Sequence, residues 1–260
     1  MTLEQRLRLD GQRALITGSS RGLGREMALA LAQAGADLVL VARDGDALEG
    51  TAAAIRAFGR EVWTREVDVG DPEACEALCE EVVGTIGSIR ILINNVGGRR
   101  LDVAIEEQSL ESWRRMMDLN LTSTFLCSRI IGADMIAAGK GGRIVNVASI
   151  NAFVAGRGIG GRHYESAKSA VVQFTRTLAV DWAEHGITAN SICPGFFLTD
   201  ANRAWATTNP GLVERIVENV PAGHPGQPED LGPLAVYLAS DAARYVTGAS
   251  IVIDGGYTCL

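Results

Sequence analysis

Short runs of β-branched and apolar residues alternate along the chain with longer stretches in which apolar positions recur at helical spacing. The short runs predict seven strands, at residues 13–17, 37–42, 61–67, 89–93, 143–148, 188–193 and 250–253. The longer stretches predict helices at residues 24–33, 46–58, 72–86, 110–135, 164–184 and 229–240. Alternation of strands and helices is typical of a parallel sheet with right-handed crossover connections.

The first, fourth and fifth predicted strands are almost continuously apolar, as expected for strands that helices cover on both faces. We therefore predict an α/β fold over residues 1–260, a single doubly wound Rossmann-type domain with a seven-stranded parallel sheet flanked by helices on both faces. The breaker-rich residues 209–229 follow the sixth strand, and we expect them in a substrate lobe around residues 196–228.

Composition narrows the class of protein. The chain has 260 residues, of which 47% are hydrophobic, so it can bury a large core. A net charge of −7 opposes binding to nucleic acid, whose phosphates need a basic surface. The charged N-terminus does not resemble a signal peptide, and no apolar run approaches the ~20 residues of a membrane span. The expectation is a cytoplasmic protein without a membrane or nucleic-acid partner.

The cysteines stand at positions 75, 79, 127, 193 and 259. Their odd number argues against a fully paired disulfide framework. Cys75 and Cys79, one helical turn apart, could hold a metal, but no neighbouring His or Cys completes the set. We therefore predict no metal site, and buried or half-buried thiols in a reducing compartment.

A glycine-rich turn follows the first strand and opens the first predicted helix. Glycines let the backbone turn tightly and approach a pyrophosphate, and a helix N-terminus supplies N–H donors and a favourable dipole. The spacing is GxxxGxG, not GxGxxG, and a glycine turn could also be a simple connection. Its place after the first strand predicts dinucleotide binding by Thr17, Gly18, Ser20, Arg21, Gly22, Leu23 and Gly24.

The end of the second strand, Val41-Ala42-Arg43-Asp44, bears on the choice of dinucleotide. A carboxylate here would bind the ribose 2′-hydroxyl of NAD(H), whereas an arginine accommodates the 2′-phosphate of NADP(H). Arg43, flanked by Arg21, could clamp that phosphate through charge-assisted hydrogen bonds. Asp44 could instead reach the ribose, or Arg43 could be solvated. The residues favour NADP(H), with NAD(H) possible.

Tyr164 and Lys168 stand four residues apart, so a helix would place both side chains on one face. A tyrosine ordinarily ionises near pH ~10, and a nearby ammonium group favours the phenolate and lowers that pKa. The pair is a candidate acid–base catalyst, although the same spacing occurs by chance on many helices.

Five motifs occur in one order along the chain: TGxxxGxG, Asn94-Asn95-Val96-Gly97, Ser149, Tyr164 with Lys168, and Pro194-Gly195. In this order they resemble the short-chain dehydrogenase/reductase family, and the similarity runs from Leu9 to Gly256. The resemblance implies that Tyr164 is the general acid/base, and that Lys168 lowers its pKa and binds the nicotinamide ribose.

The same resemblance implies roles for residues outside the Tyr–Lys pair. Ser149 would hydrogen-bond the reacting oxygen, and Asn120 would hold a water that links Lys168 to solvent. The implied cofactor contacts beyond the glycine turn are Asp68, Val69, Asn95, Gly97, Pro194, Gly195, Phe197 and Thr199. The family also implies a homotetramer, which the apolar C-terminal residues 249–260 would suit.

The segment between Ser149 and Tyr164 is longer than usual for the family and lies beside the expected substrate. Around that substrate we expect Arg99, Asn151, Arg157, Arg162, His163 and residues 197–205. The cationic residues make a sugar acid conceivable as substrate, although the arginines could equally cover a surface or be solvated. His163, adjacent to Tyr164 on a helix, would point elsewhere and is predicted to be structural.

The predicted function is hydride transfer between NADP(H) and a small polar ketone or secondary alcohol, of sugar-acid or polyol type. One alternative is a 3-oxoacyl-[acyl-carrier-protein] reductase, but Lys140 and His185 form a weak basic pair for an acidic carrier. Another is a catalytically silent NADP-binding sensor or scaffold. The presence of the tyrosine, lysine and serine favours the enzyme.

Overall fold

Seven parallel strands form one sheet, in the order β3-β2-β1-β4-β5-β6-β7. The computed structural model describes residues 1–156 and 160–260, apart from the side chains of residues 205 and 212. The strands are β1 (Arg13–Thr17), β2 (Asp37–Ala42), β3 (Val62–Glu66), β4 (Ile91–Asn94), β5 (Gly142–Val147), β6 (Ile187–Pro194) and β7 (Ser250–Ile253). The strand order reverses between β1 and β4, and ligands of doubly wound sheets bind outside the carboxyl ends of the strands at such a point.

Helices cover both faces of this sheet. They are α1 (Leu3–Leu7), α2 (Gly22–Ala34), α3 (Gly45–Arg56), α4 (Pro72–Thr85), α5 (Leu110–Met117), α6 (Ser123–Ala138), α7 (His163–Asp181), α8 (Asp200–Thr208), α9 (Pro210–Glu218) and α10 (Gly232–Ala239). A π-helical turn, Asp118–Thr122, joins α5 to α6. The predicted Rossmann-type α/β fold is confirmed.

The apolar runs of the central strands reflect burial on both sides. Ile16 of β1 and Ile93 of β4 belong to the core that α2, α3 and α10 cover. Their neighbours Leu15 and Leu92 point to the opposite face and belong to the core under α4 and α6. Because successive side chains of a strand alternate between the two faces, both positions must be apolar.

The predicted strands and long helices are present with small differences at their ends, but the sequence pattern missed three shorter helices. These are α1, α8 and α9. Helices α8 and α9 form most of the predicted lobe, and α9 begins at Pro210, a residue type favoured at the first helical position. Pro210, which the sequence pattern assigns to irregular chain, therefore starts a helix.

The continuous helix from Leu110 to Ala138 is long and apolar enough to cross a membrane, judged by length and composition only. This qualifies the expectation that no stretch approaches that length. Buried core helices satisfy the same test, and Leu126, Ile131 and Met135 are fully or almost fully buried in the core beneath α4 and α6. Packing inside the protein explains the apolar composition of this helix.

Three cysteines meet between α4 and α6. Cys75 and Cys79 lie on α4, and the sulfur of Cys127 on α6 is 3.5 Å from that of Cys75. The expectation that no third thiol completes the Cys75–Cys79 pair is therefore wrong, because the fold brings together residues far apart in sequence. These three thiols and Cys193 are buried, whereas Cys259 is exposed.

Candidate active site

The glycine turn after β1 has the backbone geometry that only glycine accommodates. Gly18 and Gly22 have φ angles of +70° and +56°, in the left-handed region. A Cβ atom on Gly24 would lie 2.1 Å from the carbonyl oxygen of Gly18. The turn is thus packed against the first turn of α2 more closely than any side chain would permit.

Thr17 and Asn95 connect the glycine turn to the chain that follows β4. The Thr17 hydroxyl accepts hydrogen bonds from the N–H groups of Asn95 at 3.0 Å and Val96 at 3.2 Å. The Asn95 amide nitrogen donates to the carbonyl oxygens of Thr17 at 3.0 Å and Gly18 at 3.1 Å. Both residues were predicted to bind the dinucleotide, and their contacts here fasten β4 to the turn.

Ser19 was absent from the predicted site, yet it anchors the same turn. Its hydroxyl is fully buried and accepts a hydrogen bond from the N–H of Val41 at 3.1 Å. The N–H groups of Gly18 and Ser19 both donate to the Val41 carbonyl. The position falls within the variable xxx of the motif, so only the fold reveals its contact with β2.

The start of α2 fits a bound phosphate group. Arg21 is the N-cap residue and makes no side-chain capping bond, so no side chain caps the first N–H groups of the helix. Uncapped N–H groups and the helix dipole favour an anion at this place. Thr199 lies against the turn, 3.4 Å from where a Cβ of Gly22 would be. The predicted nicotinamide segment therefore reaches the glycine turn.

The two arginines predicted to bind a 2′-phosphate lie at the surface beside this turn. Arg21 is ion-paired with Asp44, and Arg43 pairs with Asp68 at 3.2 Å. Asp44 also caps α3 by accepting from the N–H of Ala47 at 3.1 Å. Asp44 is thus held between Arg21 and the start of α3, and its alternative role on the ribose of NAD(H) stays a prediction. Exposed pairs contribute only about 0–1 kcal/mol, so a phosphate dianion can displace the aspartates.

Tyr164 and Lys168 lie on the first two turns of α7, as predicted. The Lys168 ammonium is almost fully buried and donates a hydrogen bond to the Val147 carbonyl at the end of β5, at 2.7 Å. Burial lowers the pKa of Lys168 to about 8. Its nitrogen lies 5.9 Å from the centre of the Tyr164 ring.

Asn120 lies in the π-helical turn Asp118–Thr122 and is fully buried. Its amide oxygen accepts from the N–H of Gly98 at 2.8 Å. Its amide nitrogen donates to the carbonyl oxygens of Gly98 at 3.1 Å and Met116 at 2.9 Å. Asn120 therefore clamps the chain after β4, and its role in holding a water stays a prediction. Such π turns are frequent at functional sites.

Gly97 brings Asn120 and Lys168 together. A Cβ atom on Gly97 would lie 2.7 Å from Lys168 Nζ and 2.9 Å from Asn120 Oδ1. A larger residue would push the ammonium group out of its place. The two polar side chains that sequence reasoning assigned to one proton route thus face the same glycine.

The pKa of Tyr164 is raised, mainly because burial disfavours the phenolate, while a hydrogen bond with Ser149 and the charge of Arg99 act in the opposite direction. The Arg99 guanidinium lies 5.0 Å from the centre of the Tyr164 ring. The Lys168 ammonium is turned to the Val147 carbonyl, and its effect on the Tyr164 pKa stays a prediction. Tyr164 is therefore protonated at neutral pH.

Ser149 stands at the end of β5 in position to act with Tyr164. Its hydroxyl accepts a hydrogen bond from the N–H of Asn151 at 3.1 Å. That bond uses an oxygen lone pair, so the hydroxyl proton remains available to donate. Ser149 is buried, and its alignment after the fifth strand holds.

Arg99 and Arg162 share one carboxylate. Arg99 contacts Glu165 at 2.9 Å, and Arg162 contacts the same Glu165 at 3.0 Å. Arg99 also donates to the carbonyl oxygens of Gly160 at 2.6 Å and Gly161 at 3.0 Å. The two arginines are thus tied to Glu165 of α7, so Arg162 is not the freely solvated loop arginine of the alternative interpretation. Within this group of three the guanidinium groups exceed the carboxylate by one charge, and the Asp102 carboxylate lies nearby, accepting from the N–H of Gly160 at 2.6 Å.

His163 is fully buried. One ring nitrogen contacts the Gln108 amide at 2.9 Å, and the other contacts the Arg99 carbonyl at 2.7 Å. Burial lowers its pKa, so the ring is neutral at pH 7. This arrangement agrees with the predicted structural role.

The remaining predicted residues divide between the turn, the strand ends and the core. Asp68 and Val69 follow β3, and Gly195 packs on Asp254 after β7. Phe197 is 3% exposed and belongs to the core, where its ring packs on Gly226. Its side chain is therefore not part of the site surface. Residues assigned by prediction that lie outside the described structure are Arg157 and the side chain of Trp205.

The low pKa of Lys168 predicts a pH-dependent stability. The folded chain loses this proton at about pH 8, whereas an unfolded lysine keeps it to about pH 10.4. Between these values the unfolded state binds more protons, so stability rises with pH. Relative to Lys168→Met, we expect the wild type to gain about 1–3 kcal/mol in the free energy of unfolding between about pH 7.5 and pH 10.

Denaturant unfolding of both proteins across this pH range measures the gain. A Lys140→Met variant controls for the loss of a lysine at an exposed position. If the free energies of unfolding of wild type and Lys168→Met differ by the same amount at every pH, the conclusion that the buried amine has a lowered pKa is contradicted.

The whole chain is similar to proteins of known family and structure. A family profile described as enoyl-(acyl carrier protein) reductase matches residues 18–258. The chain is 39% identical to 2-dehydro-3-deoxy-D-gluconate 5-dehydrogenase of Dickeya dadantii (strain 3937) over 251 residues, or 96% of each chain. A short-chain type dehydrogenase/reductase from Mycobacterium marinum superposes with a TM-score of 0.90 at 36% identity, over 100% of both chains.

A third relative was solved with ligands. The gluconate 5-dehydrogenase from Burkholderia cenocepacia J2315, in complex with NADP and tartrate, has a TM-score of 0.91 at 34% identity and covers 100% of both chains. Each of these proteins aligns with this chain over nearly its whole length, so the likeness includes the site.

Proposed function

Because the chain belongs to the short-chain dehydrogenase/reductase family and its relatives are dehydrogenases acting on CH–OH groups, we propose that it transfers a hydride between NADP(H) and a small polar ketone or secondary alcohol. The observation that carries this proposal is the convergence of Ser149, Tyr164 and Lys168 at the carboxyl end of β5, the strand next to β4. With these three side chains together, we do not favour the alternative of a catalytically silent NADP-binding sensor or scaffold.

The dinucleotide supplies the hydride chemistry, and the chain supplies its binding and the proton. The glycine turn and the uncapped start of α2 would hold the pyrophosphate, and Arg21 and Arg43 the 2′-phosphate. The Burkholderia relative, whose structure contains NADP, supports this choice of cofactor. NAD(H) remains the secondary cofactor.

Tyr164 would act as the general acid/base. Its protonated phenol can give a proton to the carbonyl oxygen during reduction, and recover it from the alcohol in the reverse direction. The Ser149 hydroxyl would donate a hydrogen bond to the same oxygen and stabilise the negative charge that develops there. Arg99, close to the Tyr164 ring, would favour the transient phenolate.

Lys168 would bind the nicotinamide ribose and carry the proton onward, with Asn120 and its water completing the route. Its low pKa suits such a relay, because an amine that titrates at about pH 8 can lose and regain a proton near neutrality. Gly97 would keep both side chains in place.

The charges beside Tyr164 favour an anionic substrate. Arg99 and Arg162 carry two positive charges against the single carboxylate of Glu165, which leaves an excess of one. A carboxylate on the substrate would compensate it. Two relatives are named for sugar acids, namely 2-dehydro-3-deoxy-D-gluconate and gluconate. We therefore propose a sugar acid or its keto form as the substrate class, with polyols second.

We also propose a homotetramer in the cytoplasm. The support is the family resemblance together with apolar side chains left at the surface. Phe125 is 42% exposed, and Val252 and Leu260 near the C-terminus are 38% and 86% exposed. Sedimentation analysis tests the assembly.

Absorbance of the nicotinamide ring, followed with a panel of compounds, tests the proposed function. The panel contains sugar acids, the polyols obtained from them by reduction, simple ketones and 3-oxoacyl thioesters. Turnover of a sugar acid or polyol is the expected result. Turnover of the thioester alone would instead support the alternative of a 3-oxoacyl-[acyl-carrier-protein] reductase. NADPH binding without turnover of any compound would support the alternative of a catalytically silent sensor.

The excess positive charge gives a sharper prediction. In Arg162→Gln, Arg99 and Glu165 remain paired and the excess charge disappears. We expect kcat/KM for the sugar acid to fall by about 10-fold or more, as for loss of a charged hydrogen bond of ~1.5–3 kcal/mol, while the matched polyol changes little. Equal losses for acid and polyol would show that Arg162 only orders the loop.

Arg43 gives a prediction about the cofactor. Arg43→Ala should weaken NADPH binding by about 1.5–3 kcal/mol, roughly 10- to 150-fold, because a hydrogen bond to a charged group is lost. NADH binding should be nearly unchanged, since NADH has no 2′-phosphate. Fluorescence titration with each cofactor measures both affinities.

Arg56→Ala is the matched control, because Arg56 is an exposed arginine of α3 with its own ion pair to Glu49. This variant should bind both cofactors normally. Equal losses for NADPH and NADH in Arg43→Ala would contradict the 2′-phosphate assignment.

A further inference from the structure

Three thiols without a part in the proposed reaction form a compact group between α4 and α6. Cys75 and Cys79 lie one turn apart on α4, and Cys127 faces them from α6. All three are at most 1% exposed, and their sulfur atoms lie within 4.8 Å of one another. The sulfurs of Cys75 and Cys127 are 3.5 Å apart. Two helices thus direct three sulfurs toward one point.

The size of this triangle suits a single thiophilic atom. Bonds of ~2.3 Å, the length of a zinc–thiolate bond, place three sulfurs around one atom ~3.5–4 Å apart. The separation of Cys75 and Cys127 already lies in this range. Among the described residues the group contains only sulfur ligands, which favours soft ions over calcium or magnesium.

The surroundings restrict the charge that such a complex can carry. Leu78, Val82 and Ile131 belong to the same apolar cluster as the three cysteines. Arg129, the basic residue next along α6, is paired with Glu76 at the surface. A net charge buried in such a layer without a partner is strongly unfavourable.

Three thiolates carry three negative charges. With all three sulfurs bound as thiolates, the form that ligates metals, a monovalent or divalent ion would leave the complex anionic, and a structural zinc site would also need a fourth ligand. A trivalent ion leaves no net charge. We propose that Cys75, Cys79 and Cys127 form a three-thiolate site for trivalent arsenic.

The binding reaction is a condensation without oxidation or reduction. Neutral arsenous acid, As(OH)₃, reacts with three thiols to form three As–S bonds, while three As–O bonds break and the thiol protons leave with the hydroxides as three water molecules. The product is uncharged and matches the apolar layer. A small neutral molecule can enter when α4 and α6 separate locally.

The test is arsenite titration of the reduced protein without oxygen. We expect one arsenic atom per chain by intact mass spectrometry, three sulfur and no oxygen neighbours by X-ray absorption, and a melting temperature that rises with arsenite. Loading during refolding in arsenite removes any barrier to entry. Absence of bound arsenic after both treatments would overturn the proposal.

Cys127→Ala and Cys75→Ala should each weaken arsenic binding by ~100-fold or more, because multivalent attachment is reduced. Cys259→Ala removes an exposed thiol outside the group and should bind arsenic normally. Circular dichroism establishes that each variant is folded. Undiminished binding in Cys127→Ala, or tighter retention of Cu(I) or Zn(II) than of arsenic by the wild type, would contradict the proposal.

Discussion

Tyr164→Phe should lower kcat by about 10²- to 10⁴-fold, the range of a general acid–base contribution, while NADPH still binds. The phenol is protonated at neutral pH, because burial raises its pKa. Phenylalanine keeps the ring under the Arg99 guanidinium, 5.0 Å away, and removes only the hydroxyl. The loss therefore reports the proton and not the packing. Single-turnover measurement of hydride transfer and fluorescence titration of NADPH separate chemistry from binding.

Tyr245→Phe is a suitable control, because Tyr245 is fully exposed and belongs to no part of the site. It should leave kcat and NADPH affinity unchanged. If Tyr164→Phe keeps most of its activity, proton transfer by the phenol is refuted. If it loses NADPH binding as well, the hydroxyl also contributes to holding the cofactor.

Gly24→Ala should abolish useful NADPH binding. Its new Cβ would lie 2.1 Å from the Gly18 carbonyl oxygen and 2.5 Å from the Asn95 amide nitrogen, so the turn or α2 must move. Asn95 is the side chain that holds the turn, and it would be displaced too. We expect kcat/KM to fall by ~100-fold or more, as for misplacement of groups by about 1 Å, and stability to fall by about 1–3 kcal/mol from overpacking.

Gly84→Ala makes the same chemical change where there is room. A Cβ at Gly84 on α4 meets no atom within 4 Å. Because glycine in a helix is less stable than alanine by roughly 0.5–1 kcal/mol, this variant should be as stable as the wild type or slightly more so. Denaturant unfolding and NADPH titration of both variants check the pair. Normal NADPH binding by Gly24→Ala would contradict the conclusion that close packing of the glycine turn on α2 is required for binding.

The strands and the glycine turn were readable from the sequence because their signals are local. The alternation of Leu15 and Ile16 between two cores forces an apolar run, and the position of the run predicts the strand. The helical spacing of Tyr164 and Lys168 follows in the same way. Helices α8 and α9 were missed because each is only nine residues long and α9 starts at a proline.

The site itself was predicted as a set of residues, but not as a set of contacts. Asn95 was expected to contact the cofactor, and the structure shows in addition that it donates to the carbonyl oxygens of Thr17 and Gly18. Lys168 was expected to act on Tyr164, and the structure adds its hydrogen bond to Val147 and a second cation, Arg99, whose charge lowers the pKa of the phenol. Ser19 carried no signal at all, because its contact is with β2.

The sequence alone therefore determined the α/β fold class, the glycine turn after β1 and the order of Ser149, Tyr164 and Lys168 along the chain. These depend on spacing along the chain, which backbone geometry converts directly into strands, turns and helix faces. Only the tertiary structure decided which charges meet, namely Arg99 and Arg162 on Glu165, and that Cys127 joins two cysteines of another helix. Such contacts join residues distant in sequence, and they arise from the packing of whole helices on the sheet.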